Sequence, residues 1–215
     1  MRSLKKLRRN YHDYGLGVTL AKTVESLFAV VFESRAYRIY RIRLDRFEPD
    51  DKDPGDFELR LLDPAQDDLI DQIEGMEEWL LGKLRKELRA GSICLMALDG
   101  GRVAGFNLVS FGEVYMPLVD MTRVFRDNEA WSEQITVSRD YRGRGLAGIL
   151  RLTVFGILKE RGIIRFYGGT LPLNIANRKL SKKVGFQEIM DIKYRRIFKN
   201  KTWTFKRITK NDETV

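Results

Sequence analysis

Residues 138–150 read SRDYRGRGLAGIL, and they constrain the chain more than any other stretch. Glycine alternates with arginine, and an apolar run then recurs at helical spacing: Leu146, Ile149, Leu150, Thr153, Val154, Ile157 and Leu158, closed by Gly162. Ahead of the turn, SEQITV (132–137) reads as a strand. A strand, a glycine turn and a helix start make an anion site. The first helical amides point outward unpaired, the helix dipole adds partial positive charge, and glycine lets a phosphate approach the backbone. Arg142 and Arg144 add whole charges. The plainer reading is a tight connection with two solvated arginines.

Two phosphate motifs fail here. No glycine is followed by Lys and then Ser or Thr, which excludes a triphosphate-binding P-loop. Gly143, Gly145 and Gly148 have the dinucleotide spacing, but Ser138 to Arg142 separate the first glycine from the strand. The next strand ends in Gly168-Gly169-Thr170, with no acid for a ribose.

The chain has 215 residues, 43% of them hydrophobic, enough for one domain with a core and an extension. The single cysteine, Cys94, forms no intramolecular disulfide, which suits a reducing compartment. One cysteine and one histidine, His12, exclude an ordinary zinc site, and no metal is expected. No apolar run approaches the roughly 20 residues of a membrane span. The expectation is a cytoplasmic protein, with any membrane association peripheral. The formal charge of +9 is uneven: through Arg46 there are eleven Lys and Arg against four acids, and beyond it 28 against 26. The positive field therefore belongs to the N-terminal segment and does not argue for nucleic acid across the whole protein.

Composition divides the chain into a basic amphipathic extension (1–47), an acidic linker EPDDKDPGD (48–56) and a main domain (57–215). In the extension, Leu20, Val24, Leu27 and Val31 lie on one helical face, and YRIRLDR alternates as a half-buried strand would. Its charge and stripe suit an anionic membrane surface or a protein partner engaged through residues 1–46. The alternative is that it packs on the main domain and extends its sheet. In the main domain, FELRLL, SICLMAL, RVAGFNLVSF and IIRFYG read as strands, and Pro64 to Ala90 as one or two helices. Glu113 to Ala130 reads as a long loop or a short helix. Asn174 can cap a helix whose inner face is Ala176, Leu180 and Val184, stopped by Gly185. KYRRIFKNKTWTFKR interleaves aromatics with basic residues, as nucleic-acid binders do, but suits a C-terminal edge-strand pair better.

Arg142-Gly143-Arg144-Gly145-Leu146-Ala147 resembles the pyrophosphate loop of the GNAT acyltransferase superfamily, Q/R-x-x-G-x-G/A. A second element, Asn174 followed by LSKKVGF at 180–186, is similar to that family's N-x-x-A-x-x-L-Y-x-x-x-G-F. The resemblance covers about Phe57 to Phe198. It implies an α/β fold, with a mixed, mostly antiparallel sheet flanked by helices. It also implies acetyl-CoA or another acyl-CoA as co-substrate. The family splays its central strand from a neighbour, and here that strand would offer Ile135, Thr136 and Val137 to the pantetheine. The turn from Arg142 through Gly143, Arg144, Gly145, Leu146, Ala147 and Gly148 would hold the pyrophosphate, and Asn174 would meet the arm from the other side.

Transfer of an acyl group from a thioester to a primary amine needs no enzyme nucleophile, so Cys94 reads as a small core residue. Glu133 is the expected base. Strict alternation along the strand places it on the face of Ile135 and Val137. Asp120, Asp127 and Glu129 are alternatives, or would bind a cationic acceptor. Ser181 stands where the family often has a proton-donating tyrosine. A thiol's pKa near 8.5 makes that loss survivable, and Ser181 is the expected donor of a hydrogen bond to the leaving sulfur. The competing readings are a weakened acyl-CoA-binding module and a basic protein associated with nucleic acid.

Overall fold

A computed structural model of the chain describes residues 32–48, 53–62, 70 and 78–208. The basic start, His12 and the Leu20 to Val31 stripe lie outside the described residues.

Among the described residues there are ten strands and three helices with defined bounds. The strands are β1 (Phe32–Arg43), β2 (Glu58–Leu61), β3 (Ile93–Asp99), β4 (Arg102–Ser110), β5 (Glu113–Met116), β6 (Met121–Val124), β7 (Glu129–Val137), β8 (Arg165–Thr170), β9 (Gln187–Ile197) and β10 (Asn200–Arg207). The helices are α1 (Glu78–Arg89), α2 (Leu146–Glu160) and α3 (Ile175–Lys183). Eight strands form one sheet in the order β10-β9-β1-β8-β7-β4-β3-β2, while β5 and β6 pair separately. Among the described residues only β7 and β8 run parallel; every other pair is antiparallel. The expected fold class holds.

The two faces of the sheet carry different cores, as residues alternating along β3 show. Ile93, Leu95 and Ala97 pack with Leu146, Leu150, Val154, Phe155 and Leu158 of α2. Cys94, Met96 and Leu98 face the other way, against Leu84 and Leu88 of α1. On that second face the β5–β6 hairpin covers Tyr37, Ile39, Trp131 and Tyr167 with Val114, Met116, Val119 and Phe125. The region expected to be a loop or short helix is thus a hairpin. EVYM and MTRV are four-residue strands, too short for alternation to reveal them. Cys94 is a wholly buried core residue, and burial pushes its thiol up.

The expected division at residues 48–56 needs correction. β1, from the segment assigned to the extension, is an inner strand between β8 and β9. Tyr37, Ile39, Tyr40 and Ile42 from it, and Leu44 directly after it, are buried. β1 therefore extends the sheet of the main domain. The C-terminal aromatic and basic stretch forms β9 and β10, with β10 at the sheet edge. No helix among the described residues is long and apolar enough to cross a membrane.

Candidate active site

β7 and β8 pair over only three rungs, Glu129 with Arg165, Ala130 with Phe166 and Trp131 with Tyr167. Beyond Trp131 they part, while β7 keeps its pairing with β4 as far as Val137 opposite Gly105. The edge of β7 that faces β8 is left open. Ser138 donates its amide to the Ala104 carbonyl, and by the two-residue alternation of an antiparallel ladder Thr136 also points to β4. The amides of Ile135 and Val137 therefore face the cleft. The outward carbonyl of Val137 accepts a bond from Arg142 Nε at 3.2 Å.

A short 3₁₀ turn, Arg139–Tyr141, leads from β7 to the glycines. Gly143 and Gly145 have φ of +82° and +81°, in the left-handed region that suits glycine. Gly145 is the N-cap of α2 and has no side-chain cap. Among the described residues the five consecutive amides from Gly143 to Ala147 make no hydrogen bond. A Cβ built at Gly143, Gly145 or Gly148 meets nothing within 4 Å. This open cradle of amides suits a diphosphate. Arg142 and Arg144 flank it, both exposed, the latter over the Tyr141 ring at 5.4 Å.

At the fork lies a cavity of about 250 Å³ with lining residues from both faces of the sheet. On the α2 face it is lined by Ser132, Tyr40, Arg151, Ser181 and Phe186, and toward the α1 face by Glu133, Tyr37 and Leu118. Gly168 and Gly169 of β8 give two tyrosines access. Tyr40 pairs with Gly168, while the Tyr37 ring lies directly over Gly169 on the opposite face. Burial, with the charge of Glu133 second, holds the Tyr37 phenol above its ordinary value; burial raises that of Tyr40. Both are donors at neutral pH. A Cβ at position 169 would lie 2.4–2.7 Å from the Tyr37 ring edge and hydroxyl, whereas one at 168 meets only Ser132 Cβ at 3.4 Å. Gly169→Ala is therefore expected to destabilise the protein by about 1–3 kcal/mol of overpacking. Gly168→Ala should cost clearly less, and thermal unfolding of the two variants checks this.

The sequence-predicted residues distribute as follows. Ile135, Glu133, Asn174 and Ser181 all line the cavity; Val137 ends β7, and Gly143 and Gly145 follow it in the loop before α2. Glu133 is not on the face of Ile135. Ser132 pairs with Val109 and Gln134 with Leu108, so Glu133 is the extra residue of a β-bulge. Its carboxylate is thereby turned toward α1, where Oε1 pairs with Lys83 Nζ. The side chain is 7% exposed, and Oε2 carries no hydrogen bond among the described residues. Asn174 caps α3 by accepting from the Asn177 amide at 3.1 Å. Ser181 is buried, 3.4 Å from Asn177 Oδ1. Of the alternative acids, Asp120 pairs with Lys201, and Glu129 accepts from the Tyr167 hydroxyl at 3.0 Å. Neither these two nor Asp127 lines the cavity. The sequence reading missed Tyr37, Tyr40, Lys83 and Arg151. Only Arg151 left a signal, as a charge inside the apolar run ILRLTVF.

A parted β7–β8 pair, a glycine loop with free amides at the start of α2 and a cavity at the fork come together on this fold. The family model for the GNAT acetyltransferases matches residues 36–186, and the chain belongs to that family. Members of that family use acyl-CoA as co-substrate. The match begins inside β1, in accord with that strand's place in the sheet. Among solved structures, a GCN5-related N-acetyltransferase from Sphaerobacter thermophilus shares the fold with a TM-score of 0.56 and 19% identity, over 85% of this chain and 57% of the other. A tandem GNAT protein from the clavulanic acid biosynthesis pathway gives 0.54 and 15%, over 87% and 59%. A glucosamine N-acetyltransferase region of a fungal multi-domain β-N-acetylglucosaminidase gives 0.56 and 14%, over 81% and 22%. The chain thus spans less than two thirds of each. No curated protein matches it by sequence. Among the described residues no group of His, Cys, Asp and Glu could hold a metal.

Proposed function

We propose that the protein transfers an acyl group, acetyl in the first instance, from coenzyme A to a primary amine by direct attack. One observation carries this reading: the parted β7–β8 cleft joins the open amides of Gly143 to Ala147 to the cavity holding Glu133. From Val137 back to Ser132 is five residues, about 17 Å of strand, a span that an extended pantetheine arm covers. The pyrophosphate rests on the loop, with Arg142, Arg144, the free amides of Gly143 to Ala147 and the open side of Gly148 around it. The arm lies along β7 and accepts from the outward amides of Ile135 and Val137. Thr136 supports that edge from the β4 side, and Asn174 and Leu146 border the arm and loop. The thioester then arrives at the fork.

The amine enters from the α1 face. Glu133, held through Oε1 by Lys83, takes its proton on Oε2 directly or through water. Tyr37, a protonated phenol on the same side, offers a hydrogen bond to the acceptor. The carboxylate wall suits a cationic amine, which it also draws in before deprotonation. Ser181 contributes a hydrogen bond near the sulfur. No sulfhydryl relay is involved, because Cys94 is sealed in the α1 core.

A thermal-shift screen with an acyl-CoA series, followed by turnover assays on amine libraries, tests the reading. Stabilisation by acetyl-CoA and release of free thiol that depends on an amine are expected. Absence of stabilisation by any acyl-CoA would refute it.

A further inference from the structure

Arg151 is the cavity's most unusual group. It is 4% exposed on α2, in the sheet-facing layer, and its Nη1 donates to Ser132 Oγ at 2.6 Å. Its guanidinium lies 5.7 Å from the Phe166 ring centre and 5.6 Å from that of Phe186. Among the described residues it has no carboxylate partner and no second hydrogen bond. Burial pushes its pKa down to about 10, so it still carries its charge at neutral pH. An uncompensated buried cation is costly, and replacing such a group with an apolar one is often stabilising. A charge kept at that cost points to an anion that is present only during function.

We propose that Arg151 is a catalytic residue that holds the coenzyme thiolate as it leaves. The inference rests on the acyl-CoA reading above. The amine lone pair forms the C–N bond, and the C–S bond breaks with its electron pair on sulfur. The amine's proton leaves through Glu133 or water, and the thiolate is later protonated by solvent. Negative charge therefore appears at the end of the arm, where β7 and β8 part at Ser132, and the hydroxyl of Ser132 is bonded to Arg151. The cavity is polarised to match. Its anionic wall, Glu133, is on the α1 face where the amine must become neutral; its cationic wall, Arg151, is on the α2 face where sulfur becomes charged. A fixed charge in a site poor in water stabilises developing charge without reorganising. The other titratable groups facing the cavity are Tyr37 and Tyr40 of β1; β8 and α3 line it with no charged side chain. This wall supplies what Ser181 cannot, since a serine hydroxyl carries no charge.

The test compares wild type, Arg151→Met and Arg151→Lys. Free coenzyme A is bound to each and its thiol titrated by the ultraviolet absorbance of the thiolate. An S-alkyl coenzyme A thioether, which cannot ionise, serves as the binding control. The expected result is equal thioether affinity throughout. The bound thiol should titrate about one pH unit or more lower in wild type than in Arg151→Met, equivalent to tenfold or more, with Arg151→Lys between. The kcat of Arg151→Met should fall by on the order of tenfold or more with the KM for acetyl-CoA nearly unchanged. The same thiol titration in wild type and Arg151→Met would overturn the proposal and leave Arg151 a structural cation. Failure of the thioether to bind wild type would instead refute the coenzyme reading and the proposal with it. If Arg151→Met does not fold, the lysine variant decides: an unshifted thiol and wild-type kcat there overturn it.

Discussion

A fragment beginning at Phe57 is expected not to fold. It lacks β1, whose loss breaks the sheet between β8 and β9 and strips both of their shared neighbour. Tyr37, Ile39, Tyr40, Ile42 and Leu44 leave the two cores at once. At roughly 1.5–3 kcal/mol for each buried side chain, five of them amount to about 8–15 kcal/mol. That matches the whole stability of an ordinary domain, about 5–15 kcal/mol. The exposed edges of β8 and β9 would also offer unpaired backbone to other chains. Insoluble expression, or a soluble product with no cooperative thermal transition, is the expected outcome. A soluble fragment that unfolds cooperatively would show that β1 is dispensable.

Glu133→Gln should lower kcat/KM at neutral pH by about 10²–10⁴, the usual worth of a positioned base. An amine with a pKa near 10.4 is almost wholly protonated at pH 7. Raising the pH supplies neutral amine from solvent, so the variant's deficit should shrink steadily toward pH 9–10. Ser181→Ala should cost about one hydrogen bond, ~1 kcal/mol, with no change in the shape of the profile. Profiles of both variants against wild type decide between them. A near-normal glutamine variant beside an inactive alanine variant would reverse the two roles.

Much of this arrangement is legible in sequence, and the exceptions have physical causes. The glycine–arginine turn and the apolar period after it identify β7, the loop and α2, because backbone conformation there demands those residue types. Asn174 and Gly185 bracket α3 for the same reason: one caps, and the other takes a left-handed φ of +92°. The place of β1 is not legible. Alternation in YRIYRIRL announces a strand without naming its partners, and a loop rich in Pro and Asp looks the same inside a domain as between two. The bulge at Glu133 is hidden because period-two reasoning assumes an unbroken ladder. That irregularity is what turns Glu133 to the α1 face, away from Arg151. The tyrosines at 37 and 40 are also silent in sequence. Their reach into the cavity depends on Gly168 and Gly169, far along the chain and joined to them by the β1–β8 register.

The central claim is that a diphosphate of coenzyme A sits on the amides after β7, and Gly148→Glu tests it most directly. Gly148 is the third helical position after the Gly145 N-cap, has no positive φ, and has open space around its Cβ. A glutamate there can fold back onto the N-cap amide as in a capping box. It also removes a helical glycine that costs roughly 0.5–1 kcal/mol. The free protein should therefore be at least as stable as wild type, while a carboxylate occupies the cradle. Calorimetric titration with acetyl-CoA should show affinity reduced by on the order of a hundredfold or more, as charge-assisted bonds of about 1.5–3 kcal/mol each are lost. A folded, equally stable Gly148→Glu protein that binds acetyl-CoA with wild-type affinity would contradict the account.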